Sequence, residues 1–366
     1  MRGEAVFMFI YDIGNMLDRE KIKNIFSNAE DFSVYEHDKA IPEEIAHFNI
    51  PAIFNLKEQE IKIKDSSYKF KAQVAIYDVG AFSIRVRVPF EHTDPSFLSK
   101  VTFDDDFKET IKSVSSAARH KVEKALSKIV PTIQNEVLET YRFYFIDGDQ
   151  TSFFKPNRRL IAGLLLEDKH YSSLNEDYVD STLHRSLSYY NDDIIVVDWD
   201  AAFMMDKNGK YEHELLVCEI ANVQLAALRA YQDKISNIIR STSNKFSKLA
   251  KLGFLRVLRA KPDLIKLNDE LGKFYDQTKD TINNVNNIIF GFGEWYLARL
   301  YAMLSDSFRL KDAYTSLYDN LEVVEKIRSF IQDRIEDETS SSLEWIVIIL
   351  IVIEVVVEVI FVLKGF

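Results

Sequence analysis

Residues 4–12 read Glu-Ala-Val-Phe-Met-Phe-Ile-Tyr-Asp, seven apolar side chains in unbroken succession between two acids. The run is too short for a bilayer span and no small-residue cleavage site follows it. Its aromatic and β-branched content suits a strand covered on both faces. It predicts a central strand close to the N-terminus, followed by a short helix over 18–29. Further on, residues 68–78 alternate apolar and polar, and a turn falls at Asp78-Val79-Gly80. Phe82, Ile84, Val86 and Val88 then alternate against Ser83, Arg85 and Arg87, which is the pattern of a β-hairpin. A helix over 107–130, closed by Pro131, completes a first α+β unit at 1–135.

A second α+β unit at 136–210 repeats the order, with strands at 141–147 and 160–167, a helix at 175–190, and a strand, bend and strand over 193–206. Its Val196-Val197-Asp198-Trp199-Asp200-Ala201-Ala202-Phe203 resembles Ile76-Tyr77-Asp78-Val79-Gly80-Ala81-Phe82 with one insertion, which points to a duplicated β-α-β-β-α unit. From 211 to 340 the spacing turns helical: Leu216, Ile220, Val223 and Ala227, then Leu267, Leu271, Thr278 and Ile282, then Leu317, Leu321, Val324, Ile327 and Ile331. Antiparallel helical hairpins are expected, with coiled-coil seams that can equally pair between chains as a homo-oligomer.

Trp345–Leu363 is nineteen residues long and holds sixteen Ile, Val, Leu and Phe, interrupted only by Glu354 and Glu358. About 20 apolar residues span a bilayer, so 343–363 is expected to be a C-terminal transmembrane helix, completing an α+β fold class of mixed domain, helical hairpins and anchor. The two glutamates lie one turn apart on one face, and each needs a proton or a sheltering helix in an oligomer. The competing reading is a helix buried in an oligomer core. Lys326, Arg328 and Arg334 precede the segment and only Lys364 follows. That asymmetry predicts a tail-anchored, single-pass protein of the cell's inner (cytoplasmic) membrane, with its bulk in the cytoplasm.

The 366-residue chain is 47% hydrophobic, ample for packed domains, and its single cysteine, Cys218, excludes an intrachain disulfide framework. Its net charge is −11, yet Lys245, Lys248, Lys251, Arg256, Arg259 and Lys261 form a basic island at 244–261 without an acid. Such an island could meet RNA, a ribosome or anionic lipid, or be a solvated helix end. No phosphate-binding glycine loop, HExxH, CxxC or G-x-S-x-G occurs, and the seven histidines are scattered singly. One acidic constellation remains. Asp198 and Asp200 share a strand face, and Asp78 at the equivalent bend could supply a third oxygen for Mg²⁺ or Mn²⁺, as in a metal-dependent phosphodiester hydrolase. Turn aspartates also commonly bind nearby backbone amides.

The string Asp193 to Ala202, with its Asp198-Trp199-Asp200, the long helical half, and Leu343-Glu344-Trp345 with Ile353-Glu354-Val355 and Glu358, resemble the family called required for meiotic nuclear division, or sporulation-type domain of unknown function. The resemblance covers roughly residues 140–363. It implies a homo-oligomeric, membrane-anchored protein without an established enzymatic activity or cofactor. A eukaryotic relative sits on the mitochondrial inner membrane and supports translation. A start directly on the first strand, without a transit peptide, points to a cytoplasm-facing member. The expectation is a membrane-anchored scaffold supporting translation or membrane organisation, with the hydrolase as its alternative.

Overall fold

The structure is a computed structural model that describes residues 2–13, 19–35, 51–77, 79–91, 94–127, 130, 136–148, 150–250, 254–287, 295–333 and 335–336. Two compact units divide the chain: Met1–Ala230 with Thr281–Tyr314, and Tyr231–Asp280 with Thr315–Phe366.

The first unit is built on β1 (Arg2–Asp12), which lies between β6 (Ala81–Glu91) and β7 (Glu139–Asp147), antiparallel to both. Outward from β6 come β5 (Ser66–Tyr77), β3 (Ala52–Leu56) and β2 (Phe32–Val34), while β4 (Gln59–Ile63) also pairs with β5. Outward from β7 come β10 (Ala201–Met205), β9 (Ile194–Val197) and β8 (Ser186–Leu187). One sheet therefore runs through the expected boundary at 135/136. The hairpins β5–β6 and β9–β10 occupy mirrored places in the strand order. The duplication nevertheless fails, because β6 is antiparallel to β1 whereas β10 is parallel to β7, so no dyad relates the halves.

One face of the sheet presents Phe7, Phe9, Ile84, Val86, Tyr144 and Phe203 to α1 (Arg19–Ser27), α2 (Ser96–Phe103), α3 (Asp105–Leu126), α4 (Arg158–Leu166) and α5 (Glu176–Leu183). The α3 helix begins where the Asp104 carboxylate accepts the Asp106 amide at 3.0 Å, and it buries Phe107, Ile111, Val114, Ala118 and Val122 at helical spacing. The expected strand at 160–167 is instead α4. Its Leu-Ile-Ala-Gly-Leu-Leu-Leu is an apolar run with a single β-branched residue, and a helix packed on the sheet buries it as well as a strand does. Gly163 is required there, because any Cβ would collide with Tyr171. The helix expected over 175–190 is α5, which stops at Leu183 and gives way to β8.

The other face is covered by the first part of α6 (Glu212–Ala250) and by α8 (Trp295–Ser307). Here Arg85 and Arg87, in the polar half of the alternating pattern, are only 1% and 7% exposed. Arg85 grips Glu219 of α6 with two bonds, Nε to Oε1 at 2.8 Å and Nη2 to Oε2 at 2.5 Å, while the Tyr77 hydroxyl donates to Oε2 at 2.5 Å. Arg87 donates to Glu4 at 2.6 Å, Glu212 at 2.5 Å and Gln73 at 2.9 Å, and Gln73 passes the chain on to Asn55 at 2.8 Å. Burial works to raise the Glu219 carboxyl, but the adjacent Arg85 outweighs it and holds the group below the ordinary carboxylate range.

The second unit contains most of the antiparallel pair α7 (Phe254–Asn287) and α9 (310–333), registered by Asn268 donating to Gln332 at 3.3 Å. Leu264, Leu267, Leu271 and Thr278 are buried on α7, and Leu317, Leu321, Val324 and Ile331 on α9, in agreement with the heptad-like reading.

The transmembrane part of the expected fold class is withdrawn, together with the tail-anchored inner-membrane location. Among the described residues no helix is long and apolar enough to cross a membrane. Segment 343–363, with Glu344, Trp345, Glu354 and Glu358, lies outside the described residues.

Glu219→Ala is expected to strand a buried guanidinium and cost about 3–5 kcal/mol in chemical denaturation, whereas Arg85→Met with Glu219→Leu should recover most of that loss. Since the Glu219 carboxyl is lowered on folding, its contribution is complete above about pH 5 and is lost as pH falls through the folded value. A wild-type protein and Glu219→Leu variant with parallel acid-denaturation curves would contradict this assignment.

Candidate functional site

The turn 198–200, singled out from the sequence, joins β9 to β10. The Asp198 amide donates to the Ala201 carbonyl at 2.8 Å, the Tyr141 hydroxyl to the Asp198 carbonyl at 3.2 Å, and the Arg142 amide to the Asp200 carbonyl at 3.1 Å. Trp199 packs edge-on to Phe308 with centroids 6.2 Å apart, and the Arg229 guanidinium lies 5.8 Å from its ring while also pairing with Glu139. Burial raises the Asp198 carboxyl, against the pull of the Trp199 amide and of Arg185 at 3.9 Å. Asp200 is exposed. The motif thus works as a structural turn whose tryptophan is clasped by neighbouring elements.

Asp78, the third member of the expected metal set, lies outside the described residues. Among the described residues no group of three or more His, Cys, Asp or Glu could hold a metal ion. Cys218 is buried and its thiol is pushed well up by that burial, so it is inert as a nucleophile. Of the basic island, Lys251 lies outside the described residues, and the side chains of Lys245, Lys248, Arg256, Arg259 and Lys261 do also.

Two features escaped the sequence reading. The first is the buried polar file Glu219–Arg85 and Glu4–Arg87–Gln73–Asn55, which ends at a cavity of about 420 Å³ lined by Tyr35, Glu58 and Lys71. Glu219, the sole acid in Leu-Leu-Val-Cys-Glu-Ile-Ala-Asn-Val, was its available signal. The second is an aromatic surface. Tyr189, Tyr190 and Trp295 are 56%, 62% and 63% exposed. The tyrosines are nonetheless held in place: the Asp193 carboxylate accepts both of their amides, at 2.8 and 3.1 Å, and the Gln150 side chain donates to the Asp193 carbonyl and to Ser188. The Tyr189 ring meets Tyr190 at 4.7 Å and 72°, and Tyr296 at 5.7 Å and 90°. Such a preorganised display of aromatic rings suits recognition rather than chemistry.

Replacing Asp193 by Ala should leave the two tyrosine amides without their acceptor. Hydrogen exchange at Tyr189 and Tyr190 is expected to speed up at least tenfold, with a stability loss of about 1–3 kcal/mol, while Asp198→Asn leaves both rates unchanged.

A family model described as the N-terminal domain of the uncharacterized protein MJ0711 matches residues 2–212, the whole span of the sheet. The uncharacterized protein MJ0711 of Methanocaldococcus jannaschii is 24% identical over 238 residues, covering 64% of this chain and 70% of that protein. No solved structure matches. With more than half of its length matched by that model, the chain belongs to the family of the MJ0711 N-terminal domain.

Proposed function

We propose that this protein is a homo-oligomeric scaffold, assembled through its second unit and presenting its sheet-based first unit to partners. The observation that carries this reading is a second apolar stripe on α9. Besides the buried seam facing α7, Val323 and Phe330 are 40% and 49% exposed, and the partly buried Ile327 falls between them at i, i+4, i+7 spacing. On α7, Ile265 is 42% exposed as well. A stripe of this spacing suits helix-to-helix pairing with a second copy, since isologous contacts need one self-complementary surface.

A part in translation, which the resemblance to the meiotic nuclear division family implies, would be exercised by such a scaffold through its partners. The hydrolase reading through Asp198 and Asp200 with Mg²⁺ or Mn²⁺ has no comparable support.

Sedimentation velocity of the full chain at micromolar concentration is expected to show an oligomer, and Val323→Glu with Phe330→Glu should dissociate it at least tenfold more readily with the thermal transition retained. A monomeric wild-type protein, or a double variant of unchanged mass, would overturn the proposal.

A further inference from the structure

The aromatic surface of the first unit carries an inference independent of self-association. Tyr189 and Tyr190 are exposed on an ordered frame rather than on a loose loop, with Tyr189 almost perpendicular to both of its ring neighbours. Ring faces carry the negative lobe of the aromatic quadrupole and attract cations within about 6 Å. The molecule already uses this attraction nearby, where the Arg299 guanidinium lies 5.3 Å from the Trp295 centroid.

The charge around the rings has one dominant sign. Asp193 holds the tyrosine loop, and Asp192 and Asp206 lie close enough to add to the burial that raises its carboxyl. Asp193, Asp206 and Glu214 act likewise on the Tyr296 phenol, again in addition to burial. Against these four acids stand Lys207, 3.6 Å from Asp192, and Arg299 over Trp295. An acidic field behind exposed aromatic faces repels anionic partners and favours a cationic side chain that can lie flat on a ring.

We propose that Tyr189 and Tyr190 form a docking surface for an arginine-bearing polypeptide segment of a partner protein, with the guanidinium stacked on the exposed rings and the aspartates supplying the complementary field. Arginine suits the site better than lysine, because a planar, weakly hydrated guanidinium stacks on aromatic faces while an ammonium keeps its water.

The test uses the full chain and a fluorescent peptide of alternating arginine and glycine, compared with the same peptide in which citrulline replaces arginine. Fluorescence anisotropy is expected to show the arginine peptide binding at least tenfold more tightly, with affinity falling as salt rises. Tyr189→Leu with Tyr190→Leu keeps apolar bulk but removes the quadrupoles and should weaken binding at least tenfold, whereas Tyr190→Phe should bind as wild type does. Equal binding of the two peptides, an unaffected double Leu variant, or no binding of the arginine peptide would each overturn the proposal. None of these outcomes bears on the sedimentation behaviour that tests the scaffold reading.

Discussion

The Arg85–Glu219 pair joins the middle of the sheet to the helix that covers its second face. A guanidinium and a carboxylate that are 1% and 0% exposed cannot persist singly in an apolar layer; each exists there because the other does. Their bidentate geometry, completed by the Tyr77 hydroxyl, sets where α6 crosses β5 and β6. Arg87, two residues along the same strand, repeats the arrangement with Glu4 and with Glu212 from the first turn of α6. The first unit is thereby a three-layer structure, with one face of the sheet packed mainly by apolar side chains and the other by apolar groups around a charged file.

That asymmetry bears on function. Buried charges on one face satisfy one another, and among the described residues no group of three or more His, Cys, Asp or Glu could hold a metal ion. The groups with a strongly raised pKa, such as Tyr77, Tyr141 and Cys218, owe it first to burial within packed layers. What the molecule offers outward is surface: an aromatic display at one end of the sheet, and an apolar stripe along α9 in the second unit. Both are suited to partners, and they belong to different units, so assembly and recognition can be altered separately.

The C-terminal anchor shows how an inference from composition can outrun the structure. Sixteen strongly apolar residues in a stretch of nineteen set an expectation of a bilayer span, yet no helix among the described residues meets that requirement. The Asp198-Trp199-Asp200 motif was likewise prominent as letters, and its prominence proves to be that of a hairpin turn. Its backbone is tied to Tyr141 and Arg142 and its tryptophan is held by Arg229 and Phe308.

Periodicity determined the β5–β6 hairpin, α3 and the helices of the second unit, because each has a repeat of two or of about 3.6 that only one kind of element can bury, while β1 and the β9–β10 hairpin were legible as short unbroken apolar runs. It could not separate strand from helix in the short apolar run of α4, where either conformation hides every side chain. Nor could it assign Arg85 and Arg87 to the interior. Alternation marks which side chains share a face, but whether that face meets water or another layer depends on Glu219, Glu4 and Glu212, whose distance along the chain hides their proximity. Partnerships between charges are a property of tertiary contact. For that reason the central strands were legible in the sequence, while the outer strands β2, β3, β4 and β8, the buried ion pairs that clamp the covering helix, and the exposed aromatic frame were decided only in three dimensions.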